Sequence, residues 1–138
     1  MKASVLIVDH DPRIADATRR CLTARGCHVV SATTGLQCLE QLTKMEPSVV
    51  VLDPDILWGG ADGVLECLAW DDDIHPMVVI ANSPGSKAIP ERYTDRIDLR
   101  IQRPDSLESL VRFANQLEAT AVWSVSPNRA SAVQDWFE

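Results

Sequence analysis

The stretch Val5-Leu6-Ile7-Val8-Asp9-His10-Asp11-Pro12 decides how this chain folds. Its four apolar residues, mostly β-branched, form a run too short for a helix and without a polar face, so they read as a strand covered on both sides, as in a parallel sheet. The run ends on acidic Asp9-His10-Asp11. The same arrangement returns twice, as Asp53-Pro54-Asp55 after Val49 to Leu52 and as Arg103-Pro104 after Leu99 to Gln102. An open parallel sheet gathers the carboxyl ends of its strands at one edge, where ligands bind. These acids and the base should therefore meet in one pocket, which points first to a phosphate or metal site.

Further strands are expected at His28 to Val30 and Met77 to Ala81. Between the strands, Ile14, Ala17, Cys21 and Leu22 share a helical face, as do Leu36, Leu39, Leu42 and Met45, and then Val64, Leu65 and Leu68. A last helix is expected to start at a capping box of Asp105 and Glu108 and to bury Leu107, Leu110, Val111, Ala114 and Leu117. Pro84, Gly85 and Pro90 leave Ser83 to Arg96 room for only a short helix. The pattern is α/β, (βα)5, doubly wound, with helices on both faces of a parallel sheet.

A chain of 138 residues has room for one core. Residues 1–120 read as the domain and 121–138, with Trp123, Trp136 and Phe137, as a tail of open role, too short for an output domain. The formal net charge of −7 and the lack of any basic run argue against a nucleic-acid partner. No apolar stretch approaches the roughly 20 residues that span a bilayer, and the N-terminus is not a signal peptide. Cys21, Cys27, Cys38 and Cys67 lack C-x-x-C spacing. The expectation is a reduced, soluble, cytoplasmic protein.

Val5 to Pro12, Pro47 to Asp53 and Arg103-Pro104 together resemble the receiver domain of response regulators, the CheY-like family, over about residues 3–119. The resemblance implies a flavodoxin-like sheet of order 2-1-3-4-5 and transfer of a phosphoryl group from a histidine kinase or phosphotransfer protein onto an aspartate, with Mg²⁺ beside it. Chemically, a carboxylate attacking an anionic phosphoryl group needs a cation between them and a fixed basic group on the remaining oxygens. The acceptor maps to Asp53, which closes its strand seven positions into Pro47-Ser48-Val49-Val50-Val51-Leu52-Asp53. The distance to Asp62-Gly63 fits Asp55 instead, and reads as a two-residue insertion around Trp58-Gly59-Gly60. Asp9 and Asp53 would hold the metal, Arg103 the phosphoryl oxygens, and the Arg103-Pro104 bond is cis in the family.

Four positions depart from that pattern. His10 stands where a second carboxylate is expected; nitrogen suits Mg²⁺ poorly, so Asp11 or Asp55 would have to substitute, with His10 left at the rim or serving a transition metal. Arg103 replaces a lysine, Ala81 replaces a hydroxyl residue, with Ser83 two positions on, and Arg100 replaces the aromatic switch residue. Trp58 reads as a lid or as loop packing. Asp62 and Asp105 read as helix caps.

Three functions follow. The first is a phosphoacceptor receiver that signals through protein contacts to an unidentified target and is no enzyme beyond accepting phosphate from small donors. The second is a pseudo-receiver that binds partners without phosphorylation. The third is a haloacid-dehalogenase-type phosphatase using Asp53 and Asp55, with little sequence left for its other acids and lysine.

Overall fold

The computed structural model describes residues 3–70 and 76–120; the tail expected from 121 lies outside the described residues. Five strands, β1 (Ser4–Val8), β2 (His28–Ala32), β3 (Val49–Leu52), β4 (Met77–Asn82) and β5 (Leu99–Gln102), form one parallel sheet in the order β2-β1-β3-β4-β5. Four helices connect or follow them: α1 (Pro12–Ala24), α2 (Gly35–Lys44), α3 (Gly60–Trp70) and α4 (Leu107–Glu118). The crossover rich in Pro and Gly forms only a 3₁₀ helix, Glu91–Arg96.

Strand alternation divides the core into two layers. Val5 and Ile7, Val49 and Val51, and Val79 and Ala81 face Leu22 of α1 and Phe113, Ala114 and Leu117 of α4. Leu6, Val8, Val50, Leu52, Val78 and Ile80 face α2, α3 and Tyr93 of the 3₁₀ helix. Neither face of β1, β3 or β4 is left to water, hence their unbroken apolar runs.

Several local expectations are corrected. Ala15, Thr18 and Leu22 are the buried face of α1, one position away from the stripe beginning at Ile14. The capping box of α4 is made by Ser106 and Ser109, not Asp105 and Glu108: the Ser109 backbone N–H donates to Ser106 Oγ at 3.2 Å, and Ser109 Oγ accepts from the Ser106 N–H at 2.9 Å. Asp105 instead accepts from Ser109 Oγ at 3.1 Å. With the helix started there, Leu110, Phe113, Ala114 and Leu117 turn inward while Leu107 and Val111 stay exposed. Asp62 lies inside the first turn of α3 rather than ahead of it. Leu36 is exposed. No cis peptide bond occurs among the described residues, so Arg103-Pro104 is trans.

The loop after β3 is held by main chain. Gly35 and Leu36 donate their N–H groups to the carbonyls of Leu57 and Trp58, each at 2.8 Å. That approach needs glycine at 35, because a Cβ there would stand 2.6 Å from Trp58 O and 2.8 Å from Gly60 N. Trp58 itself adopts φ 54° with 71% of its surface exposed. Gly35→Ala should lower stability by about 1–3 kcal/mol because the backbone itself must move. Gly63→Ala, where an added methyl meets nothing within 4 Å inside α3, should be neutral or stabilising by up to about 1 kcal/mol. Urea unfolding of the two variants checks both signs.

Candidate functional site

Parallel pairing brings Val8 level with Leu52, so the next residues, Asp9 and Asp53, leave the sheet side by side. Both are buried, Asp53 completely. Arg103, just beyond β5, reaches Asp9 with two donors, Nε to Oδ2 at 2.8 Å and Nη2 to Oδ1 at 2.7 Å. Strands β3 and β4 lie between β1 and β5 in the sheet, so the side chain spans the floor of the pocket. Only the planar fork of arginine can meet both carboxylate oxygens in this way. The hydrogen bond to Asp9 is the main reason the guanidinium is held above its ordinary pKa, against partial burial.

Asp53 is held by two neighbours, Asp55 and His10. Its Oδ1 takes the Asp55 N–H at 2.9 Å, and its Oδ2 takes the His10 N–H at 3.0 Å and also contacts His10 Nδ1. The His10 side chain is 43% exposed, so it forms the rim of the pocket while its ring touches the buried carboxylate. One donor atom from each of Asp9, His10 and Asp53 lies within 4.8 Å of the others.

The other candidate acids are turned elsewhere. Asp11 caps α1, its Oδ1 accepting the Arg13 N–H at 2.9 Å. That hydrogen bond chiefly lowers its pKa. The cap therefore stabilises the fold above the ordinary carboxylate range and is lost as pH falls through the lowered value. Asp55 Oδ1 accepts the Lys87 N–H at 2.9 Å and ties the loop after β3 to the loop after β4. Ser83, offered as a replacement hydroxyl, is within 3.1 Å of Ser86 Oγ inside its own loop. Ala81 is buried in the sheet core, and Arg100 is exposed on β5.

This donor set suits a divalent ion. Among the described residues, Asp9 Oδ2 and Asp53 Oδ1 each accept a single hydrogen bond, leaving a carboxylate lone pair on both sides of the pocket. A Mg²⁺ ion typically takes one or two carboxylates and keeps several waters, so two such oxygens suffice.

Buried acids paired to a cation at the carboxyl edge of a 2-1-3-4-5 sheet are what the receiver resemblance requires, and residues 5–90 match the family model of the response regulator receiver domain. The chain belongs to that family. A segment of 49 residues is 43% identical to the transcriptional regulatory protein KdpE of Mycobacterium tuberculosis, covering 36% of this chain and 22% of KdpE. The chain thus matches about a fifth of that relative's length. A CheY-like receiver domain from Methanospirillum hungatei superposes with TM-score 0.63 at 25% identity, over 83% of this chain and 92% of that one. The signal receiver domain of a LuxO repressor-like protein from Vibrio parahaemolyticus gives TM-score 0.73 at 16% identity, over 100% and 98% of the two chains, a likeness of fold. The family is one of signalling domains, and no helix among the described residues is long and apolar enough to cross a membrane.

Two features are not legible in the order of residues: the His10 ring on Asp53, and Asp9 as the carboxylate that Arg103, readable as the partner of some acid, grips at two points. His10 directly follows a strand-end acid, which placed it at the rim, but nothing in the order of residues tells which way its ring turns. Arg103→Met, which leaves Asp9 buried without its partner, should cost about 3–5 kcal/mol in urea unfolding. The double variant Asp9→Asn/Arg103→Met should lose clearly less than the two single losses added together. Additive losses would show that the pair is not energetically coupled.

Proposed function

We propose that this receiver domain accepts a phosphoryl group on Asp53 from a histidine kinase or phosphotransfer protein and passes the signal on by protein contact. The observation that carries the reading is the buried Asp53 carboxylate, oriented by the Asp55 and His10 N–H groups, beside an Asp9 already paired to Arg103. An Asp53 oxygen attacks phosphorus, and the donor's leaving group departs with the bonding pair. Asp9 and Asp53 would hold Mg²⁺, which would supply the positive charge that lets two anions approach. Arg103, anchored on Asp9, presents the remaining face of its fork to the phosphoryl oxygens.

The familiar route from the acceptor to the rest of the domain is missing here, because Ala81 has no hydroxyl and Arg100 replaces the aromatic residue. A different connection is available. Asp53 Oδ1 holds the Asp55 N–H and Asp55 Oδ1 holds the Lys87 N–H, so phosphorylating Asp53 disturbs a hydrogen-bond path into the loop after β4. The same two replacements favour, as a second reading, a domain that keeps the fold for binding and is not phosphorylated.

Incubation with acetyl phosphate and Mg²⁺, followed by intact mass, separates the two. The expected result is one hydroxylamine-labile phosphoryl adduct in the wild type, none in Asp53→Asn, and a reduced level in Asp55→Asn, whose amide oxygen can still accept from Lys87. Equal labelling of the wild type and Asp53→Asn would overturn the assignment of the acceptor. No adduct in any protein would favour the binding module.

A further inference from the structure

Where a third carboxylate would complete an all-oxygen site, this pocket offers an imidazole nitrogen. We infer that His10 Nδ1 is a metal ligand, and that the pocket is a mixed nitrogen and oxygen site selective for a borderline first-row ion of the Co²⁺ or Zn²⁺ class over Mg²⁺. The inference rests on the reading of Asp9 and Asp53 as the oxygen ligands.

Three observations support it. Nδ1 is the ring nitrogen in contact with Asp53, and one ring nitrogen of His10 shares the 4.8 Å donor cluster with both carboxylates. The residue is anchored by its own main chain, whose N–H donates to Asp53 Oδ2 at 3.0 Å, so the ring starts from a fixed Cβ and needs only side-chain rotation to admit an ion. The side chain is 43% exposed, so the rim of the pocket is open to an incoming ion on the side of the ring.

Charge points the same way. Arg103 offsets one of the two buried carboxylates, so the pocket's acids and base sum to a single negative charge before any ion enters. Affinity for hard oxygen-seeking cations depends heavily on the number of ligand charges, and Mg²⁺ gives up its water reluctantly. A neutral nitrogen donor adds little for Mg²⁺. It adds much for ions later in the first row, whose affinity for N/O sites rises along the series.

First-row ions also bind carboxylates, so the test must isolate the nitrogen. Mn²⁺ bound to the full chain would be examined by electron spin-echo spectroscopy for coupling to an imidazole ¹⁴N. Calorimetry would then give the affinities of Co²⁺ and Mg²⁺ for the wild type, His10→Asp and His10→Ala. The expected result is a ¹⁴N coupling in the wild type that both variants lose, with the preference for Co²⁺ over Mg²⁺ falling by roughly tenfold or more in His10→Asp. His10 lies at the exposed rim, and an unchanged far-ultraviolet circular dichroism spectrum would confirm that the variants fold. Metal bound without a ¹⁴N coupling, or an unchanged ion preference in His10→Asp, would overturn the inference while leaving Asp9 and Asp53 as ligands. No binding of Mn²⁺ or Co²⁺ to the wild type would overturn it as well. Phosphorylation of Asp53 is read separately by mass, so the failure of one claim is distinguishable from the failure of the other.

Discussion

The buried pair between Asp9 and Arg103 is the interaction on which the site depends. It joins residues 94 positions apart, one at the end of β1 and one just beyond β5, and it does so with two short hydrogen bonds in a pocket mostly closed to water. Placing a carboxylate there alone would cost several kcal/mol, and the guanidinium offsets that cost only because its fork matches both oxygens. Asp9 in turn accepts the Asp11 N–H at 2.9 Å, which sets the turn into α1 just before Asp11 caps it. One ion pair thus fixes the floor of the pocket and the entry to the first helix.

Beside it, Asp53 is held by donors from two loops. The His10 N–H comes from the segment after β1 and the Asp55 N–H from the segment after β3. Two main-chain donors fix the orientation of this carboxylate, and its complete burial places it in surroundings of low polarity, where a neighbouring cation acts strongly. The loop after β3 can hold this position because it is pinned on its far side to the start of α2 through Gly35 and Leu36. Packing, turn and chemistry are parts of one arrangement. What differs from the general receiver pattern is the source of the donors: a ring nitrogen at His10, a fork at Arg103, and a path through Asp55 and Lys87 where the hydroxyl is lacking.

The sheet was legible in the sequence because each central strand is apolar on both faces, as a parallel sheet between two helical layers requires, and the runs alternate with helical spacing. Asp9, Asp53 and Arg103 could be placed together for the same reason, since topology alone carries strand ends to one edge. The side-chain roles were less visible. Asp11 and Asp55 are acids of the same kind as Asp9, and only the backbone around them shows that one caps α1 and the other holds Lys87. The start of α4 is hard to read from sequence because Glu108 supplies the carboxylate a capping box usually shows, whereas Ser109 fills the third helical position with a hydroxyl. A cap read at Asp105 and Glu108 puts Leu107 and Val111 on the wrong side of the helix.

The most direct test of the account is chemical trapping of the acceptor. The full chain would be treated with acetyl phosphate and then with borohydride, which reduces an acyl phosphate to the alcohol and so converts a phosphorylated aspartate into homoserine, to be located by peptide mass spectrometry. Homoserine at position 53 is the predicted result. Homoserine at position 55, or none at either position, would contradict the claim that the buried carboxylate of Asp53 is the group through which this domain receives its signal.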